Sequence, residues 1–359
     1  MATSARTRVV AIAVIAVLLL GLVGITVVRA QDAPQLPPVR ADELVASSLT
    51  ALERPRSISG DVQTRLDLAI PEVPSSLGGE GGVIAMVGGA QRFRVWCSAD
   101  GLRIAHVLDV SEQDLIVNHR EAWWWDAADL TAARVPIDAL GTGLQGTPLG
   151  GVLAGGSAGP GAAMAADPLE VARAALHALA PFAYVEVSGA TVLAGRDAYE
   201  LSLVPTSTRT LVGRVVVAID AETRLPLRIE VLPRGSERAA ASIGFTTVSL
   251  DAIDPAMFEF DPPPGTTVLD GLRGADAGSP RGEDALVNTD GPTPRVFGSG
   301  FDTRVAVPLS GPLPADVQQL LPYAGPLVSV VQTRTSLGSW LLVGSVPVAI
   351  LEHDAAQLP

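Results

Sequence analysis

The chain has 359 residues, 48% of them hydrophobic, with 36 glycines and 28 prolines, which suits a turn-rich globular protein long enough for two domains. A formal net charge of −13 argues against binding nucleic acid or anionic headgroups by charge. The single cysteine, Cys97, excludes an internal disulfide framework and a CxxC metal or redox site.

At the N-terminus, Arg6 and Arg8 precede the uncharged run Val9 to Val28, which is long enough to span a bilayer as a helix. The two arginines predict a cytoplasmic start with everything after it exported. Arg29 directly after the run favours a retained anchor. The small residues Val28 and Ala30 before Gln31 suit signal-peptidase cleavage. Both readings of residues 1–30 are open, and in both the working part lies in the cell membrane's outer space or beyond it.

Residues 31–270 read as one unit. In "RADELVASSLTALERP", Leu44, Val45, Leu49 and Leu52 form a helical stripe that Pro55 stops. In "SISGDVQTRLDLAIP", Ile58, Val62, Leu66, Leu68 and Ile70 fall on one parity and polar residues on the other, a half-buried strand. From Gln91 to Val135, short strands joined by tight turns form an antiparallel meander. Pro136 to Ala166 is Gly/Ala-rich without periodicity and reads as a loop. Asp167, Pro168 and Glu170 open a second helix at capping-box spacing. Five further strands run from Tyr184 to Leu250, and "MFEFDPPPGTTV" closes the unit. Near ten antiparallel strands with two helices predict a mainly β (α+β) chain: one curved sheet with helices on its concave face. Residues 271–294 form a Gly/Pro-rich linker, and residues 295–359 a small C-terminal α+β domain.

No catalytic constellation is visible. "GTGLQG" at Gly141–Gly146 and "GGSAG" around Ser157 match phosphate-loop and nucleophile-elbow patterns but lack the strand-turn-helix context both need. His106, His119, His177 and His353 show no metal-ligand spacing. The sequence therefore points to no cofactor, no metal and no enzyme. The run Trp123–Trp124–Trp125 in "AWWWD" is the strongest local feature. In a strand, Trp123 and Trp125 share one face and Trp124 points from the other. Two readings of Trp123 and Trp125 are open: a core beneath the helices, or the lining of a hydrophobic cleft for an acyl chain.

Taken in order, "SISGDVQTRLDLAIPEVP", "LIVNHREAWWWDAADLTAARV", "VLAGRDAYELSLVP", "VVVAIDAETRLPLRIEV" and "MFEFDPPPGTTV" resemble the LolA/LolB-type lipoprotein carriers and the related MucB/RseB regulators. The resemblance covers roughly residues 40 to 270; the C-terminal "LLVGSVPV" is more loosely similar to the second domain of MucB/RseB. It implies an unclosed antiparallel half-barrel with helices plugging a hydrophobic cavity, and no enzymatic activity. The implied partners are a lipid or lipoprotein acyl chain or, on the regulator reading, a membrane anti-sigma factor. Carried over residue by residue, Trp123, Trp125, Ile58, Val62 and Leu66 are the cavity candidates. The Pro136–Ala166 stretch departs from the family as a long insertion, and an N-terminal anchor conflicts with a freely diffusing carrier.

Overall fold

The computed structural model describes residues 34–52, 57–67, 69, 89–136, 180–270, 293–309, 311–313 and 315–358. The expected N-terminal span, the loop after Pro136, residues 167–179 of the expected second helix and nearly all of the linker lie outside these. The end of that helix, Ala180–Phe182, is a single 3-10 turn. Among the described residues, no helix is long and apolar enough to cross a membrane.

One helix, α1 (Ala41–Leu52), precedes the first strand. The strands that follow are β1 (Ile58–Leu66), β2 (Gly89–Ser98), β3 (Gly101–Val107), β4 (Glu112–Asn118), β5 (Glu121–Asp126) and β6 (Thr131–Pro136). Then come β7 (Ala183–Leu193), β8 (Arg196–Pro205), β9 (Val212–Asp220), β10 (Pro226–Pro233), β11 (Ala241–Phe245) and β12 (Thr267–Asp270). These twelve form one sheet in the order β12-β6-β5-β4-β3-β2-β1-β11-β10-β9-β8-β7. Its two edge strands do not pair with each other, so the sheet is open. Each half is a meander, and β1 zips the halves together by pairing with β2 on one side and β11 on the other. The expected all-antiparallel pattern has one exception: β12 runs parallel to β6. The chain after β11 crosses a face of the sheet before reaching that edge, so it arrives in the same direction as β6.

A second sheet contains β13 (Arg295–Phe297), β14 (Arg304–Leu309), β15 (Tyr323–Ala324), β16 (Ser329–Thr335) and β17 (Gly338–Gly344), in the order β13-β14-β17-β16-β15. The short helix α2 spans Ala315–Gln319. A C-terminal helix, α3 (Val348–Ala355), was not expected. It buries Leu351 with Trp340, Leu342, Ala306 and Val346 in a core of their own. Beneath α3, Arg304 Nε donates to Asp354 Oδ2 at 2.6 Å, with both side chains at least nine-tenths buried.

The two sheets touch. Phe301 and Leu327 join the cluster of Leu203 and Val212 on the large sheet. Asp302 accepts hydrogen bonds from Ser207 Oγ at 2.7 Å and Arg209 Nε at 3.1 Å. Leu211 N donates to Ser345 O at 2.7 Å.

Candidate functional site

The strand registers assign every side chain of the large sheet to one of two faces, because directly paired residues share a face and neighbours along a strand alternate. The row Val62–Phe93–His106–Gln113–Asp126–Thr131 runs across β1 to β6 on one face. Ile58, Leu66, Val95, Cys97, Leu102, Ile104, Leu115, Val117, Ala122, Trp124, Ala133 and Val135 share it. The opposite face of the same six strands carries Arg65, Arg92, Arg94, Arg103 and Arg134 with Asp61, Glu112, Asp114 and Glu121. No arginine stands on the first face anywhere from β1 to β6. One side is therefore an apolar face and the other an arginine face.

The apolar face continues across the second half of the sheet through Ile243, Ile229, Val217, Leu201 and Val187. Helix α1 packs on it. Leu44 lies in one cluster with Tyr199, Leu201, Val217 and Ile229, and Ala51 in another with Ile58, Val62, Phe93 and Ile104. The spacing Leu44, Ser48, Ala51 is one helical stripe, and all three are at least nine-tenths buried. Tyr199 ties down the chain before α1 by donating its hydroxyl to Pro37 O at 2.9 Å. Towards β4 and β5, Leu102, Leu115, Val117 and Trp124 are only half-buried.

Trp123 and Trp125 stand on the arginine face. They pack with Ile116 and Ala132, and Phe260 lies against both indoles, at ring separations of 5.3 and 5.7 Å. Phe260 comes from the segment that crosses from β11 to β12. Its 3-10 turn, Pro255–Phe258, is capped by Asp254, whose carboxylate accepts from Ala256 N at 3.0 Å. Asn118 Nδ2 donates to Phe258 O at 3.0 Å and holds the turn down. Gly101 makes room beneath it: a Cβ there would sit 2.8 Å from the Phe258 ring. The segment "MFEFDPPPGTTV" is thus the outer cover of the tryptophan strand.

The five candidate residues consequently do not form one surface. Ile58 and Val62 are buried beneath α1 and Leu66 is half-buried on the same side, while Trp123 and Trp125 are buried under Phe260 on the other. The registers set the five on two faces: from β1 to β5 the parity of Ile58 leads to Trp124, not to Trp123 or Trp125. Nothing in a single strand says which of its faces joins the apolar side of a strand four places away.

Charges on the arginine face are organised around structure. Arg103 is paired with the buried carboxylate of Asp114, and its guanidinium lies 5.8 Å from the centre of the Trp96 ring. Glu112 is held above its ordinary pKa by burial and by the neighbouring Asp114 carboxylate. Glu121 accepts from Trp123 Nε1 at 3.0 Å and Arg134 Nε at 2.6 Å. A groove of about 470 Å³ lined by Gln63, Arg65, Arg228 and Glu230 belongs to this charged side and is no place for an acyl chain. Among the described residues, no three His, Cys, Asp or Glu side chains gather as a metal site.

No protein-family model matches the chain, and no curated protein matches it. Solved structures do. The MucA/MucB complex of Pseudomonas aeruginosa is 15% identical, with a TM-score of 0.47, over 88% of this chain and 96% of that one. A crystal structure of MucB is 16% identical, with a TM-score of 0.41, over 88% of this chain and 96% of that one. A LolA superfamily protein from Nitrosomonas europaea is 11% identical, with a TM-score of 0.25, over 62% of this chain and 99% of that one. Solved structures that this chain resembles thus include MucB and a LolA-superfamily protein, and at these identities and scores no ligand or partner passes from them to it.

Proposed function

We propose that this chain is a non-enzymatic extracytoplasmic binding protein that holds the acyl chain of a lipid or lipidated protein against the apolar face of its large sheet. In this reading the sheet is curved and α1 lies in its concavity as a half-plug, with residues 31–270 forming the binding domain and residues 295–359 a second one. The observation that carries it is the segregation of the sheet. All arginines of β1 to β6 stand on one face, while the other is apolar and keeps Leu102, Leu115, Val117 and Trp124 half-buried beyond α1. Trp124 stands at the margin of that site, and Ile58, Val62 and Leu66 continue its face back towards and beneath α1. An acyl chain gains roughly 0.8 kcal/mol for each methylene it buries there. The export expected from residues 1–30 places the site outside the cytoplasm.

Brominated acyl chains test this reading, because bromine quenches an indole only at short range. Titration is expected to quench the wild-type protein. Trp124→Phe should lose most of that quenching and Trp125→Phe should keep it. Absence of both binding and quenching would sink the proposal.

A second reading is a sensor whose occupancy controls contact with a membrane anti-sigma factor. The docking of the small sheet onto β8 and β9 through Asp302, Phe301 and Leu327 favours it, since a change on the large sheet has a direct route to the small one. Pull-down of the exported segment of such a factor, with and without acyl ligand, separates the two: a carrier gives no ligand-dependent capture.

A further inference from the structure

The apolar face has a polar island where β1, β2 and β3 meet. Thr64 on β1 is paired directly with Gln91 on β2, and Gln91 Oε1 lies 3.0 Å from Nε2 of His106 on β3. The imidazole is stacked on Phe93 at 4.7 Å and is only 4% exposed. With a carbonyl oxygen at Nε2, that nitrogen carries the ring proton and Nδ1 is an acceptor. Burial holds the His106 pKa below the ordinary histidine value, an effect that the nearby Gln113 side chain partly offsets.

Three buried polar atoms meet no protein hydrogen-bond partner here: His106 Nδ1 and Thr64 Oγ1 on the apolar face, and Ser48 Oγ on the helix stripe whose Leu44 and Ala51 pack on that face. Thr64 is 5% exposed and Ser48 is fully buried on the α1 stripe between Leu44 and Ala51. The neighbouring hydroxyls of Ser47 and Thr50 donate back to the carbonyls of Leu44 and Ala46, whereas Ser48 does not. Buried polar groups without partners are rare because each forfeits its hydration, so two on this sheet face and one on the helix stripe over it call for a ligand that meets them.

We infer that Ser48, Thr64 and His106 form the polar end of the acyl site and receive the hydroxyl-bearing head of an acylglycerol. This rests on the binding function proposed above and specifies its ligand. His106 Nδ1 accepts only, so the ligand must bring a donor. The two hydroxyls both donate and accept, which suits adjacent hydroxyl and ester oxygens better than a lone amide. An anionic head is disfavoured because this face of β1 to β6 has no arginine. Asp126 also lies in the His106 row, with its carboxylate accepting from Gln113 Nε2 at 2.7 Å. Along that row, burial falls from Val62 and His106 to half-buried Gln113, Asp126 and Thr131, which gives the head a polar track to its seat.

The test uses the exported full-length chain and four probes of equal chain length: monooleoylglycerol, oleamide, methyl oleate and oleate, each measured by titration. Wild type is expected to bind monooleoylglycerol about tenfold tighter than methyl oleate. His106→Phe keeps the stacked ring shape and should reduce that preference to less than about twofold while leaving methyl oleate unchanged. Thr64→Val supplies the same test should the phenylalanine variant fail to fold. An undiminished preference in both variants, or equal binding of all probes by wild type, overturns the assignment. Tighter binding of oleamide or oleate overturns the choice of acylglycerol. Failure of every probe to bind overturns the acyl-binding reading itself.

Discussion

Replacing the tryptophans one at a time separates the two faces of β5. Trp125 is 9% exposed and packs on Ile116, Ala132 and Phe260. Trp125→Ala leaves a cavity on the arginine face, a change that costs about 3–5 kcal/mol. Of this, about 0.5–1.5 kcal/mol is the aromatic pair with Phe260 at 5.7 Å. Trp124 is half-buried, and among the described residues its ring meets no other aromatic ring. Trp124→Ala should therefore cost about 1–2 kcal/mol, the share of a large apolar side chain's transfer energy that its partial burial provides. Binding should show the reverse order. Trp124→Ala is expected to weaken an acyl probe about fivefold to tenfold, and Trp125→Ala to leave affinity per folded molecule within about twofold. Urea unfolding followed by far-ultraviolet circular dichroism gives the stabilities, and titration of the folded fraction gives the affinities. A stable Trp125→Ala that no longer binds, beside a Trp124→Ala that binds normally, would refute the assignment of faces.

Other consequences follow from single sites. Asp354→Ala strands the Arg304 guanidinium in the second core and should cost about 3–5 kcal/mol, whereas the double change Arg304→Met, Asp354→Leu should recover much of it in urea unfolding. Asp220 is buried, which by itself would raise its pKa; hydrogen bonds from Arg196 and Thr223 outweigh this and hold it below the ordinary carboxylate value. Its stabilising contribution is complete above the unfolded pKa of about 4 and is lost as pH falls through the lower folded value. Asp220→Asn should therefore flatten the acid limb of stability against pH, and an unchanged limb would contradict the pairing. Gly101→Ala puts a methyl 2.4 Å from Val117 O and 2.8 Å from the Phe258 ring, so it should cost about 1–3 kcal/mol and speed hydrogen exchange in residues 255–260.

Local patterns in the sequence carry much of this architecture. Strict alternation over Ile58 to Leu66 marks a strand with one apolar face, and the same rule separates Trp124 from its two neighbours. The helical stripe of α1 is equally plain. What one strand cannot express is its partner's parity. Linking Ile58 to Trp124 takes four successive registers, each fixed by turn geometry and by the pairing of whole strands. The cover over Trp123 and Trp125 was hidden for a related reason. Phe260 reaches them from a segment more than a hundred residues later, and three prolines give that segment no period to read. His106 shares the parity of Leu102 and Ile104 in "LRIAHV", but Ala105 and Val107 on the other parity leave that strand's two faces hard to tell apart in the sequence. Thr64 was hidden too, since a threonine within an apolar strand face reads as an ordinary β-branched residue.

Whether the apolar face of the large sheet holds an acyl ligand is open to direct measurement. Native mass spectrometry of the exported chain after gentle purification, followed by lipid extraction, measures this directly. An acyl-holding protein should show an adduct near one per protein that is released as an acyl lipid, or stoichiometric uptake of an added acyl probe by an empty preparation. A protein that is folded, empty and unable to take up such a probe would contradict that binding.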